Sequence, residues 1–196
     1  MKTFYIPLLA SALLAAACGQ GAQQFDIDNT KPVTPDNRVI YQMNIGAFTP
    51  EGTFAAAGRQ LGRLDTLGAD ILWLMPIYPR GHKMNSPYAS MDFTKVNPAY
   101  GTADDLKGFV GEAHRRGMKV WLDWVPNHTA TDARWVGEHP EYYKRSGGSF
   151  VHPNNYADVY QLDYGNGELR KAMTDCMKFW IDRADIDGYR CDHISR

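Results

Sequence analysis

Cysteine is scarce in this chain, charge is balanced, and long hydrophobic runs are missing from its body; each lack removes a class of protein. Three cysteines in 196 residues are too few for a disulfide-built scaffold. No Cys/His cluster has the spacing of structural zinc. A formal net charge of -1 with a pI near 6.6 gives no electrostatic footprint for nucleic acid and no basic face for an anionic membrane. No Gly-rich phosphate loop follows the first strand-length run, which counts against a nucleotide-binding sheet. What is present is apolar: 44% of the residues are hydrophobic and 12% aromatic, enough for a substantial core in one domain.

The one sustained apolar stretch is N-terminal. Residues 1–18, "MKTFYIPLLASALLAAAC", place a lysine at position 2, an apolar run, and Ala15, Ala16 and Ala17 ahead of Cys18. That is the layout of a secretory signal, and it resembles a bacterial lipoprotein signal in which Cys18 becomes the lipid-bearing N-terminus. An ordinary cleaved signal and an uncleaved anchor are the alternatives, although the run is short for a bilayer span. All three export the body, and the lipoprotein reading anchors it to the membrane at the cell envelope or surface. Residues 19–37 have two prolines and little apolar periodicity, as expected of a tether. In an exported chain Cys176 and Cys191 could pair. Cys176 falls on the apolar face of a helix and Cys191 inside a strand, so core burial of both is the expectation.

From Arg38 onward, apolar runs of strand length alternate with segments of helical period. Strands are expected at 39–48, 70–77, 118–124 and in "GYRCD", 188–192. Thr53 caps a first helix with Phe54, Ala57, Leu61 and Leu64 on one face, ended by Gly68. Thr102 and Asp105 stand at capping-box spacing ahead of a second, whose Leu106, Phe109, Val110 and Ala113 share a face and which Gly117 stops. Leu169, Ala172, Met173, Cys176 and Trp180 mark a third. Repeated strand-helix-strand units need right-handed parallel crossovers, in an open doubly wound sheet or a β/α barrel. Polar residues gather at the C-terminal strand ends, where barrel enzymes hold their chemistry. The fold class expected is therefore α/β, the N-terminal half of a (β/α)8 TIM barrel built from strands 1 to 4, over residues 38–196.

Taken singly, the strand ends say little: "NH" after a strand is usually a turn, and an aspartate there is often a helix cap. Together they resemble the α-amylase family of glycoside hydrolases, family 13. "DWVPNH" (123–128) resembles the family's Asp-x-x-x-Asn-His segment at the third strand, and "GYRCD" its Gly-x-Arg-x-Asp segment at the fourth. "GADILWLMPI" is similar to the second-strand region, "SPYASMDFTKVNPAYGTADDLK" to the loop and helix after it, and "QLDYGNGELRKAM" to the start of the third helix. The likeness runs over residues 38–196 in order. It implies an inserted subdomain after strand 3, at about residues 129–165, which accounts for an excursion too long for an ordinary loop.

The chemistry fits the residues. Glycosidic cleavage develops an oxocarbenium-like charge, met in retaining enzymes by a carboxylate nucleophile and a second, protonated carboxyl. The resemblance makes Asp192 the nucleophile. Arg190, two residues away on the same strand face, stabilises a carboxylate's charge and fixes its direction. A fold-fixing salt bridge is the plainer reading of that pair. By resemblance, Asp123 supports Arg190, His128 donates to sugar hydroxyls, and Asn127 is a calcium ligand, so Ca2+ is an implied cofactor. Tyr88 would stack on the sugar's apolar face, or else is a packed loop tyrosine. The expected substrate is an α-glucan or maltodextrin. A surface glucan-capture protein and a transglycosylase are the competing readings, and retention of Asp192 with Arg190 argues against pure capture.

Two features depart from the family pattern. Ser195 and Arg196 stand where starch-cleaving members commonly carry lysine and histidine, which puts endo-acting specificity in doubt. The family's acid/base glutamate belongs to a fifth strand, and Glu112 and Glu168 lie on helices instead. Half a barrel exposes two sheet edges and an uncovered core. Expressed alone, the 196-residue chain is expected to self-associate, to be poorly soluble, and to leave α-glucans uncleaved. A soluble monomer that unfolds sharply and releases reducing sugar would contradict this.

Overall fold

The computed structural model describes residues 37–193. The expected signal at 1–18, the tether apart from Asn37, and Ser195 and Arg196 lie outside the described residues. The elements follow in the order β1 (Ile40–Met43), α1 (Ile45–Phe48), α2 (Phe54–Gly58), α3 (Leu61–Thr66), β2 (Ile71–Leu74), α4 (Ala103–Arg115), β3 (Lys119–Trp124), β4 (His128–Ala130), α5 (Arg134–Glu138), β5 (Arg145–Ser146), β6 (Ser149–Phe150), β7 (Val159–Gln161), α6 (Gly167–Ala184) and β8 (Gly188–Cys191).

β1, β2, β3 and β8 make one sheet in that spatial order, and all three pairings are parallel. Alternation along each strand sends successive side chains to opposite faces. Met43, Leu72, Leu74, Val120, Leu122 and Trp124 point one way and are buried in a core shared with Leu106, Phe109 and Val110 of α4 and Leu169, Met173 and Trp180 of α6. The other face carries Gln42, Trp73, Trp121, Asp123 and Arg190, and all but Asp123 keep some exposure. It is the face on which chemistry can sit. Gly188 leaves room there for the neighbouring indole, since a Cβ on it would stand 3.0 Å from Trp121 Nε1.

The register of β8 on β3 is pinned below the site. Asp187, just before β8, accepts the backbone N–H of Val120 at 2.8 Å and pairs with Lys119 at 2.8 Å and His114 at 2.7 Å. That register sets Trp121 beside Gly188 and Asp123 beside Arg190.

The capping box forms as expected. Thr102 Oγ1 accepts from Asp105 N at 3.2 Å, and Asp105 Oδ2 accepts from Thr102 N at 2.7 Å. Three expectations need correction. The first strand stops at Met43, because Asn44 Oδ1 accepts the N–H of Gly46 at 3.1 Å and starts a single helical turn. The first helix is two short ones. Gly58 and Gly62 weaken the run, and Gln60 N–H reaches back only three residues, to Ala57 O at 2.9 Å. Cys176 is buried, but Cys191 is exposed, because β8 pairs only with β3 among the described residues.

The excursion after β3 is held by the antiparallel pair β4 and β7 and carries the small β5–β6 hairpin. Tyr143 donates to or accepts from Thr129 at 2.8 Å, and Phe150 and Tyr160 pack with ring centroids 4.7 Å apart. Its aromatics serve mainly its own small core, with Tyr156 left exposed.

Thr102→Ala removes one half of the α4 cap, and the expected loss is about 1 kcal/mol of stability. In the full-length protein this is read as an earlier urea midpoint with an unchanged slope.

Candidate active site

The site is built where β2, β3 and β8 end. Asp123, in the fifth position of the six-residue β3, has a side chain that is 0% exposed. A carboxylate without solvent must be met by donors. Trp73 of β2 donates its indole N–H to Asp123 Oδ2 at 3.0 Å. Arg190 of β8 places Nη1 3.2 Å from Oδ1 and 3.4 Å from Oδ2. The same Nη1 lies 2.9 Å from Oδ1 of Asp192, whose side chain is 25% exposed. One guanidinium nitrogen thus joins a sealed carboxylate to an open one. The guanidinium also sits over the Trp73 ring, with Cζ 4.7 Å from its centroid.

Burial holds the Asp123 carboxyl above its ordinary range, and the charge and hydrogen bonds of Arg190, with that of Trp73, pull it back. Tyr88 brings its hydroxyl to 3.5 Å from Asp123 Oδ2, at the limit of a hydrogen bond. Burial and the nearby Asp123 raise the phenol's pKa, so Tyr88 stays a proton donor.

Tyr88 sits on the long loop after β2, and that loop is clamped to the inserted segment. Asp132 accepts the backbone N–H of His82 at 3.0 Å and contacts its ring at 2.7 Å. Ala130 N–H donates to Ser90 O at 2.9 Å. Gly81 is required by this close approach, since a Cβ there would stand 2.5 Å from that of Ala130.

His128 is buried at the start of β4, and both its ring nitrogens are engaged. Asn127 Nδ2 donates to Nδ1 at 3.0 Å, and Nε2–H donates to the carbonyl of Tyr88 at 3.2 Å. These contacts suit the neutral ring with its proton on Nε2. Burial lowers its pKa, against a smaller opposing effect of the Tyr88 contact. The amide nitrogen of Asn127 faces His128, and among the described residues no group of three or more His, Cys, Asp or Glu could hold a metal.

Asp192, Arg190, Tyr88, His128 and Asn127 are therefore brought into one neighbourhood. Two members were not singled out from sequence. His193, at φ 52, lies 6.2 Å from the His128 ring and 4.0 Å from Asp192 Oδ2. In sequence, Trp73 is one more apolar residue of "GADILWLMPI". The parallel register, which sets Trp73 beside Trp121 on the face of Asp123, is the signal that finds it.

A parallel sheet with helices on one face and charge at its C-terminal strand ends is the arrangement of a partial (β/α)8 barrel. The family described as alpha amylase, catalytic domain, matches residues 36–161, and the chain belongs to it. A solved alpha-amylase from Lactobacillus plantarum is 40% identical, with a TM-score of 0.76 over 80% of this chain and 38% of that one. The trehalose-6-phosphate hydrolase of Bacillus subtilis is 32% identical over 80% of this chain and 35% of its own length. The malto-oligosyltrehalose trehalohydrolase of Saccharolobus solfataricus is 28% identical over 87% of this chain and 30% of its own. The chain thus spans about a third of the length of the curated relatives it matches. The fold is a partial α-amylase barrel.

The lowered pKa of His128 carries a pH signature. Its stabilising share is full above the unperturbed value of 6.5 and is lost as pH falls through the lower folded value. His128→Gln in the full-length protein is expected to flatten the fall of the thermal midpoint on acidification below that value. An unchanged slope would show that this ring does not bind its proton more weakly in the fold.

Proposed function

We infer that the full-length protein hydrolyses α-glucosidic bonds in α-glucans or maltodextrins with retention of configuration, and that Asp192 is its nucleophile. The observation that carries this reading is Arg190 bonded at once to a sealed and to an open carboxylate. Asp123 cannot meet a substrate. Asp192 can: its side chain is 25% exposed, with Oδ1 held by Arg190 at 2.9 Å.

The Asp192 carboxylate attacks the anomeric carbon while the bond to the leaving oxygen breaks and an acid protonates that oxygen. Water, giving its proton to the same acid/base, then releases the sugar from the glycosyl ester. The acid/base comes from outside residues 37–193 in this reading. Glu112 is engaged by Arg115 and Arg116, and Glu141 by His139. Tyr88 offers its ring to the apolar face of the bound sugar. A sugar hydroxyl would share the Nε2–H of His128 with the Tyr88 carbonyl. Export through the N-terminal signal, with a lipid on Cys18, would place this activity at the cell envelope.

Asp192→Ala in the full-length protein is expected to lower kcat on maltodextrins by about 10⁴-fold with circular dichroism and thermal midpoint preserved. In the unaltered enzyme, NMR of the first product formed should show the α-anomer. Normal turnover by a well-folded variant sinks the assignment, and a β-anomer sinks the retaining mechanism.

A further inference from the structure

The face of the sheet that carries the charges also carries an indole that touches two of them. Trp73 meets Asp123 with its edge, through the 3.0 Å N–H bond to Oδ2, and Arg190 with its face, at 4.7 Å. Packing alone does not account for this. Trp73 keeps part of its surface exposed, while Ile71, Leu72 and Leu74 around it in β2 are buried. An aliphatic residue would complete the strand as well.

The two contacts act on different partners. Asp123 has no solvent, and its Oδ2 has three neighbours: Trp73 at 3.0 Å, Arg190 at 3.4 Å and Tyr88 at 3.5 Å. The indole makes the shortest of these and adds no charge of its own. It stabilises the ionised carboxylate without competing for Arg190. Its ring face favours a cation lying flat against it, which restricts the guanidinium to one plane. Only from a fixed position can one Nη1 stay within 3.2 Å of Asp123 and 2.9 Å of Asp192 together.

We propose that Trp73 is a positioning residue for the nucleophile: its N–H holds Asp123, its ring holds Arg190, and through them Asp192 is presented in one orientation. The role rests on the glycosidase reading above. The groups facing Asp123 are Trp73 from β2, Tyr88 from the following loop, Arg190 from β8 and Asp192 just beyond it, while the Cys191 thiol lies on the opposite face of β8. Tyr78 adds its hydroxyl, which donates to the Asp123 backbone carbonyl at 3.3 Å.

The test uses the full-length protein with Trp73→Phe, which keeps a ring and loses the donor, and Trp73→Leu, which loses both. The expected loss in kcat is about 10-fold for the first and about 100-fold for the second, with KM within about twofold. Without the donor, Asp123 takes up its proton at higher pH. Trp73→Phe should therefore lose about threefold more activity at the acid end of the profile than at neutral pH. Separately from activity, the indole ¹⁵N–H resonance of Trp73, identified by its absence in Trp73→Phe, should move as Asp123 titrates and stop moving in Asp123→Asn. Folded variants with kcat within about twofold of the parent, or a loss in KM alone with a superimposable pH profile, overturn the proposal. So does a resonance that ignores pH or responds alike in Asp123→Asn. If Trp73→Leu does not fold, Trp73→Phe decides. If the parent cleaves no α-glucan, the glycosidase reading falls, and the resonance still decides whether Trp73 and Asp123 are coupled.

Discussion

A carboxylate sealed from water is the constraint on which the site depends. Asp123 has no exposed side-chain surface, and an ionised group in that position is costly unless donors surround it. β2 supplies an indole N–H and β8 a guanidinium, so the cost is met only when three strands are in register. The charge therefore ties the assembly of the sheet to the placement of Arg190. A slip of β8 by one residue would turn Arg190 to the helix side and leave Asp123 buried without its cation. Asp187 opposes that slip from the other end of the strand, through Val120, Lys119 and His114.

The inserted segment works through the loop that carries Tyr88 as well as through its own surface. His128 begins the first insert strand, yet its Nε2–H is spent on the Tyr88 carbonyl. Asp132 holds His82, and Gly81 lies against Ala130 in a space that admits no larger residue. Excursion and loop are thereby fastened at both ends of the segment bearing the tyrosine. A buried aromatic group beneath ties the same loop to α6, with Trp180 donating to Phe93 O at 2.7 Å and Tyr78 and Phe93 both packed on Trp124.

Much of this was legible in the sequence, for physical reasons. Thr102 and Asp105 could be read as a cap because the pattern is local, and the helix faces could be read because α4 and α6 are long enough to show a period. That Asp192, Arg190, Tyr88, His128 and Asn127 lie close together was legible because they stand in short motifs at strand ends or in the loop after one. What was not legible depends on neighbours distant in sequence. Gln60 ends a helix early through its own hydrogen bond, and Cys191 is exposed because of where β8 lies in the sheet. His128 looked like a free donor in "NH", but its partner is Tyr88, 40 residues earlier in the chain. Trp73 hid inside an apolar run, since its role appears only once register sets it on the face of Asp123, 50 residues later.

The unequal burial of the two aspartates also explains why one arginine can serve both. Were Asp123 as open as Asp192, water would screen it, and Arg190 would divide its time between two equivalent partners. Burial makes the Asp123 contact the more demanding of the two, because that carboxylate has little water to fall back on. The guanidinium is then anchored by the member that cannot exchange it for solvent, and Asp192 keeps its partial exposure. A second arginine would neutralise more charge but would crowd the exposed part of Asp192. The sealed carboxylate, by taking its remaining donor from a neutral indole, leaves Asp192 accessible.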